Sequence, residues 1–500
     1  MDQPFSIRWN IAQDKAALLI LFAGFVVRGI AAAIIPPGFD EAYYGVYTFF
    51  PAWGYFDHPP VVAFTAGLGR WVFRSDAVFF LRFGALLLFL GSAALLYEIT
   101  CDLFKRTAAR IALIVFHIIP YFLVGMGAFV IPDNALGFFW LLFLYSLTRY
   151  ILSGTRSWLL IAGTSLGFAF LSKYHAILLL AGFGYCLLFF PEWRKLWKSP
   201  YLYAGGILAL LIFLPNILWN ANHDWVSYVF QFGKSTGSGS VSWTKFGQGI
   251  GVQAGYLLPW HFVVVLSALV IGLKQNNSKT RWLLPFALIP IIVFTIIGAT
   301  QQILPHWPMP GYMAAIVLTS GWMAQWKTGV MRTYLISTGI FTLILVAFVT
   351  IHSISGLLPL EKKPDVTLDG QGWKQAVEQL LSEDIHQEEF TFLFTNKWYT
   401  GGELAYAAGP EITTTVLNSS DPHGFAFWID QSRLLGKDGI FVTTERYPFD
   451  PADLFQGHFD SFEQLEHITT RRPFGEGQTF HVWICHNFHT PVDYRYGINR

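Results

Sequence analysis

The chain has little charge for its length. Charged residues make up 13% of its 500 residues, and the 33 Lys and Arg nearly balance the 32 Asp and Glu, for a formal net charge of +1. Soluble globular domains carry roughly 25% charged residues. This composition excludes an ordinary soluble protein, and without a clustered basic excess no nucleic-acid partner is expected.

Cysteines and nucleotide-binding motifs are also scarce. Cys101, Cys186 and Cys485 lie far apart, so we expect neither a disulfide nor a metal-thiolate site. The sequence contains no G-x-x-x-x-G-K-[ST] motif, and no G-x-G-x-x-G motif follows a predicted strand. If the chain acts on a phosphate compound, a lipid carrier could supply that phosphate without any nucleotide.

Long hydrophobic runs are abundant, and they predict a polytopic helical membrane protein. About 20 apolar residues are needed to cross the ~30 Å hydrocarbon layer as a helix. Residues 158–190 are too long for one span, so we divide them at Ser172–His175 and predict about eleven spans in all. The other runs are Ala16–Pro36, Val78–Ile99, Ala108–Val130, Ala135–Ile151, Tyr201–Trp219, Gly255–Leu273, Trp282–Ala299, Trp307–Trp326 and Tyr334–Ile354.

The distribution of basic residues predicts the topology. Cytoplasmic loops are enriched in Lys and Arg, and a cytoplasmic N-terminus places most of these residues inside. Pro59–Phe73 is apolar but short, so we interpret it as an amphipathic helix on the outer interface. If it crossed the membrane, every later loop would change sides.

The composition changes near Glu361, where a polar C-terminal region begins. Gln371–Ser382 has helical periodicity, and three short runs, Phe390–Phe394, Ile440–Thr444 and Phe480–Cys485, are typical of strands. We therefore predict a transmembrane domain over residues 1–358 and a small soluble α/β domain over residues 359–500, outside the cytoplasm.

Polar residues that do not suit a lipid-facing helix collect in the predicted outer loops. Asp40 and Glu41 directly follow the first span, at a depth where ionisable residues are costly and often functional. A carboxylate that takes a proton from an acceptor hydroxyl, together with cationic groups that stabilise a phosphate leaving group, suits group transfer from a phosphate carrier. The other candidates in these loops are Tyr43, Asp57, His58, Asp133, Lys173, Tyr174, Asn220, His223, Asp224 and His306.

Each of these residues also has a structural interpretation. Asp57 could fix a turn, and Asp133, which follows Pro132, could cap the next helix. Arg82 could extend along its helix to the outer interface. His223 and His175 could be hydrogen-bonded interfacial histidines without a chemical role. The sequence leaves these alternatives open.

Several of these motifs resemble the protein O-mannosyltransferase superfamily, and in particular its bacterial branch of aminoarabinose (lipid A) transferases. In the first loop they are residues 39–44 (FDEAYY), 54–60 (GYFDHPP) and 81–83 (LRF). Farther along the chain they are Pro132–Asp133, Ser172–Tyr174, residues 219–225 (WNANHDW) and Pro305–Trp307.

The resemblance implies a GT-C fold, an inverting mechanism and a polyprenyl-phosphate-linked sugar as donor. It assigns Asp40 as the base or acceptor-orienting residue, with Glu41 assisting it or helping to hold a divalent cation such as Mg²⁺ or Mn²⁺. Many aminoarabinose transferases have Lys where this chain has His58, and a histidine is only partly charged at neutral pH. Lys173 and Arg82 are the candidates to supply the missing charge, and Tyr174 and His306 would contribute to donor binding.

The sequence therefore predicts a bacterial inner-membrane glycosyltransferase whose acceptor is an envelope glycolipid, such as lipid A or lipopolysaccharide core. An alternative keeps the fold and transfers the sugar to Ser or Thr of secreted proteins. A third possibility is a flippase or transporter of the carrier lipid, which would place polar residues on both faces and at broken helices within the membrane. The clearest charge within a predicted span is Arg28.

Overall fold

The structure is a computed structural model that describes residues 9–236, 240–362, 364–382 and 391–498. The first sixteen α-helices contain the hydrophobic runs, and the remaining four lie in the polar C-terminal region. Helices α1 to α8 are Lys15–Ile34, Phe39–Tyr47, Val61–Phe73, Val78–Phe104, Arg106–Ile118, Met126–Ala128, Pro132–Ser153 and Trp158–Ser172. Helices α9 to α16 are Ala176–Phe189, Pro200–Ala221, Val226–Thr236, Trp243–Leu257, Pro259–Gln275, Leu283–Ile297, Met309–Met323 and Thr328–Ser355. Helices α17 to α20 are Trp373–Ser382, Trp398–Ala408, Phe425–Trp428 and Pro451–Phe455.

The chain is a multi-pass membrane protein. Among the described residues, five helices are long and apolar enough to cross a membrane, and the number is up to eight if each of three bent helix pairs forms one span. All of the predicted spans fall on helices, but some of these, such as α8 and α14, contain only 15 residues. The count of about eleven spans therefore stays a prediction.

The predicted break within residues 158–190 is present. Helix α8 ends at Ser172 and α9 begins at Ala176. The segment Pro59–Phe73 contains α3, whose outward side chains include Trp71 (48% exposed). Its position at a membrane interface stays a prediction.

Small residues allow α8 and α10 to pack closely. A Cβ atom on Gly205 would lie 2.6 Å from the carbonyl oxygen of Leu159, and Gly163 faces Gly205 across the same contact. Lipid offers no hydrophobic force between helices, so close backbone approach at small residues is a main source of packing energy in membranes. This contact holds the first half of α8 against α10.

The C-terminal region forms a six-stranded mixed sheet. The strands are β1 Thr391–Thr395, β2 Thr414–Val416, β3 Asp438–Thr444, β4 Ser461–Gln464, β5 Ile468–Arg472 and β6 Gly475–His486. Their order is β2-β1-β3-β6-β4, and β5 also pairs with β6. Strand β1 is parallel to β2 and β3, whereas β6 runs antiparallel to β3, β4 and β5.

The centre of this sheet is buried on both faces. Phe392 and Phe394 pack into one apolar cluster, and Leu393 of the same strand packs into another, which also contains Trp373 of α17. The predicted helix and the three predicted strands are confirmed, although Phe390 lies outside the described residues. Strands β2, β4 and β5 were not predicted.

The chain divides into two compact units that are discontinuous in sequence. The first contains residues 1–32, 58–65 and 82–346, and the second contains residues 33–57, 66–81 and 347–500. Helix α2, with the first-loop motif, thus belongs to the same unit as the C-terminal sheet. The domain limits drawn from composition, 1–358 and 359–500, stay a prediction.

Candidate active site

The acidic pair of the first loop occupies the first turn of α2. Gly38 is the N-cap, and its N–H donates to Oε2 of Glu41 at 3.4 Å, so Glu41 closes a capping interaction and is only 4% exposed. Asp40 is exposed. Because a helix N-terminus stabilises negative charge, this position favours two carboxylates, of which Asp40 is the exposed one.

Tyr43 anchors α2 within the second unit. Its side chain is fully buried, and its hydroxyl accepts a hydrogen bond from the N–H of Gly424 at 2.8 Å. The ring packs edge-on against Trp398 with 5.1 Å between centroids. A Cβ on Gly402 would lie 2.8–3.0 Å from Tyr43, so only glycine allows α18 to approach this closely. The predicted supporting residue Tyr43 thus fixes the motif helix to the C-terminal region.

Asp57 is tied into the same unit through a histidine that the sequence analysis did not identify. The Tyr47 hydroxyl donates to Oδ1 of Asp57, and Nδ1 of His423 lies 3.8 Å from Oδ2. Nε2 of His423 lies 3.0 Å from Oδ1 of Asp421. Burial alone would lower the pKa of His423, but the two carboxylates outweigh it and the pKa is raised above its ordinary value. The sequence 421–424 (DPHG) indicates a turn and gave no sign of this contact.

In the first unit, an ion pair lies among candidate phosphate-binding residues. Nζ of Lys173 is 2.7 Å from Oδ2 of Asp133, and both side chains are at least 95% buried. Nε2 of His306 is 4.0 Å from the same oxygen. His58 is half-buried and also acts electrostatically on Asp133. One carboxylate thus lies within 4.0 Å of two groups that can carry positive charge, Lys173 and His306.

Asn134, the neighbour of Asp133 in the chain, fixes the backbone at the start of α7 through its side chain. Its Oδ1 accepts a hydrogen bond from the N–H of Ile131 at 2.8 Å, and its Nδ2 donates to the carbonyl oxygens of Met126 and Phe129 at 2.6 and 3.1 Å. The side chain is fully buried. Asn134 was not among the predicted site residues, although asparagine at the start of a helix is a common cap.

A second polar group in the first unit is centred on Asn216 of α10. Its Oδ1 accepts hydrogen bonds from the hydroxyls of Tyr174 at 3.3 Å and Tyr228 at 3.1 Å. Nδ2 of Asn220 donates to the carbonyl oxygen of Asn216 at 3.1 Å. The structure therefore brings together two predicted residues, Tyr174 and Asn220, through a buried asparagine that the sequence analysis missed. An amide within a predicted span was the available signal.

His223 and Asp224 lie at the end of α10. The His223 ring stacks on Trp219 with centroids 4.0 Å apart, and its Nδ1 is 2.7 Å from the carbonyl oxygen of Trp219. Asp224 and Trp225 both have positive φ, 53° and 58°. This left-handed pair lies between α10 and α11, and positive φ is uncommon for residues other than glycine.

Arg82 is fully buried in α4 rather than directed along the helix to an interface. Its Nη1 donates to the carbonyl oxygen of Ala32 at 3.1 Å, and its guanidinium lies over the Phe129 ring, 4.8 Å from the centroid. Both contacts lie in the first unit. Arg82 therefore has a clear packing role, and its proposed part in donor binding stays a prediction.

The predicted site residues are thus distributed over both units. His58, Asp133, Lys173 and His306 form one group, and Tyr174 and Asn220 another, in the first unit; Asp40, Glu41, Tyr43 and Asp57 belong to the second. No group of three or more His, Cys, Asp or Glu suited to a metal ion occurs among the described residues. The divalent cation at Asp40 and Glu41 stays a prediction.

Comparison with known proteins identifies the fold. The chain aligns over its length with ArnT from Cupriavidus metallidurans bound to undecaprenyl phosphate: the TM-score is 0.67 at 14% identity, covering 95% of this chain and 98% of that one. The apo form of the same enzyme gives a TM-score of 0.65 at 13% identity, with coverage of 94% and 98%. The chain has the GT-C fold. The fold class predicted from sequence is confirmed.

Sequence comparisons support the same superfamily. Residues 57–219 match the family model for dolichyl-phosphate-mannose-protein mannosyltransferase. The chain is 24% identical over 291 residues to an undecaprenyl phosphate-alpha-4-amino-4-deoxy-L-arabinose arabinosyl transferase of Edwardsiella ictaluri, covering 54% of this chain and 50% of that protein. It is 24% identical over 333 residues to the lipid A galacturonosyltransferase RgtD of Rhizobium johnstonii, covering 64% of this chain and 67% of that protein.

The matches therefore span about half to two thirds of these relatives. They confirm the resemblance to the superfamily of glycosyltransferases that use polyprenyl-phosphate sugars. The matched family segment, residues 57–219, contains His58, Asp133 and Lys173.

Proposed function

We propose that this chain is an inverting glycosyltransferase that moves a monosaccharide from a polyprenyl-phosphate donor to an envelope glycolipid, lipid A or lipopolysaccharide core. The observation that carries this proposal is the buried Asp133–Lys173 ion pair with His306 beside it, in a chain with the GT-C fold. The two similar proteins named above act on lipid A or take sugar from undecaprenyl phosphate, which supports this substrate class.

The ion pair suits a phosphate that gains charge during the reaction. Asp133 holds Lys173 in place at 2.7 Å and offsets its charge while no donor is bound. Because Lys173 is buried, its ammonium would stabilise a developing phosphate more strongly than solvent does, and the imidazoles of His58 and His306 could donate hydrogen bonds to it. Asp133 is therefore a positioning residue in this scheme, and Lys173 is the principal phosphate-binding group.

The resemblance to the superfamily implies an inverting transfer with Asp40 as the base, and we propose that reaction here. Asp40 accepts the proton of the acceptor hydroxyl, whose oxygen forms a new bond to the anomeric carbon of the sugar. The bond from that carbon to the phosphate oxygen breaks, and the electron pair leaves with the polyprenyl phosphate. Attack from the face opposite the leaving group inverts the anomeric carbon.

We further propose the cellular arrangement that this reaction requires. The chain would lie in the bacterial inner membrane with its N-terminus cytoplasmic and its C-terminal region periplasmic, as the distribution of Lys and Arg predicts.

A divalent cation, Mg²⁺ or Mn²⁺, is a separate proposal for Asp40 and Glu41. Electron paramagnetic resonance of added Mn²⁺ would test it, because binding should be lost in Asp40→Asn with or without a substrate.

Mass spectrometry of the envelope tests the proposed activity. Lipid A from cells that contain the chain should carry one more sugar than lipid A from cells that lack it. Asp40→Asn should abolish this addition because the acceptor proton has no base. Asp76→Asn is a matched control, since Asp76 is an exposed carboxylate of the same unit paired with Arg70 at 2.5 Å.

Two results would contradict the proposal. Full transfer by Asp40→Asn would remove the proposed base. If the sugar were instead lost from Ser and Thr of envelope proteins in the deletion strain, while lipid A kept its mass, the acceptor would be protein. That second candidate is favoured by the mannosyltransferase family match over residues 57–219.

A further inference from the structure

A basic cavity lies in the first unit, apart from all residues assigned to the transfer reaction. Its volume is about 340 Å³, within the range of sites for small ligands. We define the basic cavity by Arg156, Lys195, Lys198, Ser199 and Trp282, which are among its lining residues. These residues come from the α7–α8 turn, the 3₁₀ helix Pro191–Lys198, the start of α10 and the start of α14.

The charges of the basic cavity are strongly unequal. Arg156, Lys195 and Lys198 are exposed, and within the described ranges no carboxylate lies within ion-pair distance of them. The one acidic residue of its lining, Glu192, is already neutralised, because its Oε1 lies 2.6 Å from Nη2 of Arg281. The cavity therefore has a net positive charge that an anion would balance.

An unsatisfied hydroxyl marks where the anion would bind. Ser199 is 5% exposed and lines the cavity, and in the part of the chain that the structure describes its Oγ has no hydrogen-bond partner. A buried hydroxyl without a partner is costly, so a ligand that accepts its hydrogen bond would recover that energy. Ser199 is also the N-cap of the 22-residue helix α10, yet it makes no side-chain capping bond.

The helix adds a second source of attraction for the same ligand. The first-turn N–H groups and the macrodipole of a long helix favour an anion at its N-terminus. Lys Nζ atoms, an arginine, a serine hydroxyl and a helix N-terminus are together the donors typical of phosphate recognition.

The surroundings of the basic cavity identify the carrier of that phosphate. Ile151 lines the cavity and is 37% exposed, and Phe189 and Trp197 on the adjoining segments are 61% and 47% exposed. Exposed apolar side chains next to basic groups at helix ends are typical of the lipid headgroup region. We propose that the basic cavity binds the phosphate of an anionic phospholipid headgroup, as basic pockets between transmembrane helices do.

Native mass spectrometry of the full-length protein tests this site with phosphatidylglycerol as the probe and phosphatidylcholine as the neutral comparison. The unchanged protein should retain phosphatidylglycerol preferentially. Arg156→Gln/Lys195→Gln/Lys198→Gln should weaken the binding of phosphatidylglycerol by at least about tenfold. Each basic residue adds its own attraction to the anionic headgroup, and the variant loses all three. The matched control, Lys105→Gln/Arg106→Gln/Lys327→Gln, removes the same charge from exposed residues outside the cavity and should leave binding within about twofold.

Ser199→Ala provides a variant that keeps every charge. Because Ser199 makes no capping bond, the variant should fold normally and bind phosphatidylglycerol several-fold more weakly. Unchanged binding in both Ser199→Ala and the cavity triple variant would overturn the site. Equal loss in the control triple variant would overturn it as well, since attraction would then be general. If inorganic phosphate alone bound as tightly as the lipid, the assignment to a lipid headgroup would be wrong.

Discussion

Removal of one partner of the Asp133–Lys173 pair should strongly destabilise the first unit. The two side chains are 2% and 5% exposed, so Asp133→Asn leaves a buried ammonium without its counter-ion. Breaking a buried pair from one side typically costs about 3–5 kcal/mol, because the remaining charge keeps its desolvation penalty. Lys173→Met should cost less, since His306 remains 4.0 Å from Asp133 and can offset part of its charge.

The double variant separates the interaction energy of the ion pair from the effects of its surroundings. Asp133→Asn with Lys173→Met removes both charges, so its free energy of unfolding should lie within about 1–2 kcal/mol of the unchanged protein. Equilibrium unfolding in mixed micelles, followed by tryptophan fluorescence, would give the four free energies of a double-mutant cycle. The coupling energy should reach about 2–3 kcal/mol.

A surface pair serves as the control for this cycle. Arg70 and Asp76 are 2.5 Å apart, but Asp76 is 84% exposed, so Asp76→Asn should change stability by less than about 1 kcal/mol. A coupling energy for Asp133 and Lys173 no larger than that of the surface pair would refute the argument. The proposed positioning of Lys173 would then lose its physical basis.

Three further predictions concern single residues. His423, beside Asp421, has a raised pKa, so its contribution to stability should be fully present below its ordinary value of about 6.5 and should be lost as the pH rises through the higher folded value. The thermal midpoint of the protein relative to His423→Gln should therefore fall across that window. Gly402→Val should destabilise the second unit by about 1–3 kcal/mol, because its side chain would collide with Tyr43, as thermal unfolding would show. Asn134→Ala should cost about 1–2 kcal/mol in unfolding and should also reduce transfer, because the start of α7 would lose three hydrogen bonds.

Each of these three predictions has a result that would contradict it. A difference between the unchanged protein and His423→Gln that grows as the pH rises would reverse the sign of the proposed linkage. Gly206→Val is the control for Gly402→Val, since a Cβ there meets no atom within 4 Å, and equal losses would show that the collision is not the cause. Asn134→Ala with normal stability and transfer would show that the turn does not need its side chain.

The sequence determined which segments are helices or strands wherever the pattern was strong and local. A run such as Val78–Ile99 has one stable form in lipid, because only a helix satisfies every backbone polar group within the segment. The polar run Ser172–His175 separates two helices, because charged and polar side chains are costly in lipid and interrupt an apolar run. Short strands such as β2, with three residues, carry too little periodicity to be predicted.

The first-loop motif, the resemblance to the superfamily and the candidate residues also followed from the sequence, because each motif is a short contiguous run. Which side chains meet did not follow. Lys173 reaches Asp133 across 40 residues, and Tyr43 reaches Gly424 across 381. Nothing in the residues around Asp133 indicated that its partner would be Lys173.

Composition and periodicity alone therefore determined that this is a helical membrane protein with a polar C-terminal region, because burial in lipid acts on each segment separately. Only the tertiary structure decided that Lys173 has a buried counter-ion, that Asn216 joins Tyr174 to Asn220, and that His423 faces Asp57. Those contacts depend on how helices rotate and cross against one another, and close packing between distant segments sets that geometry.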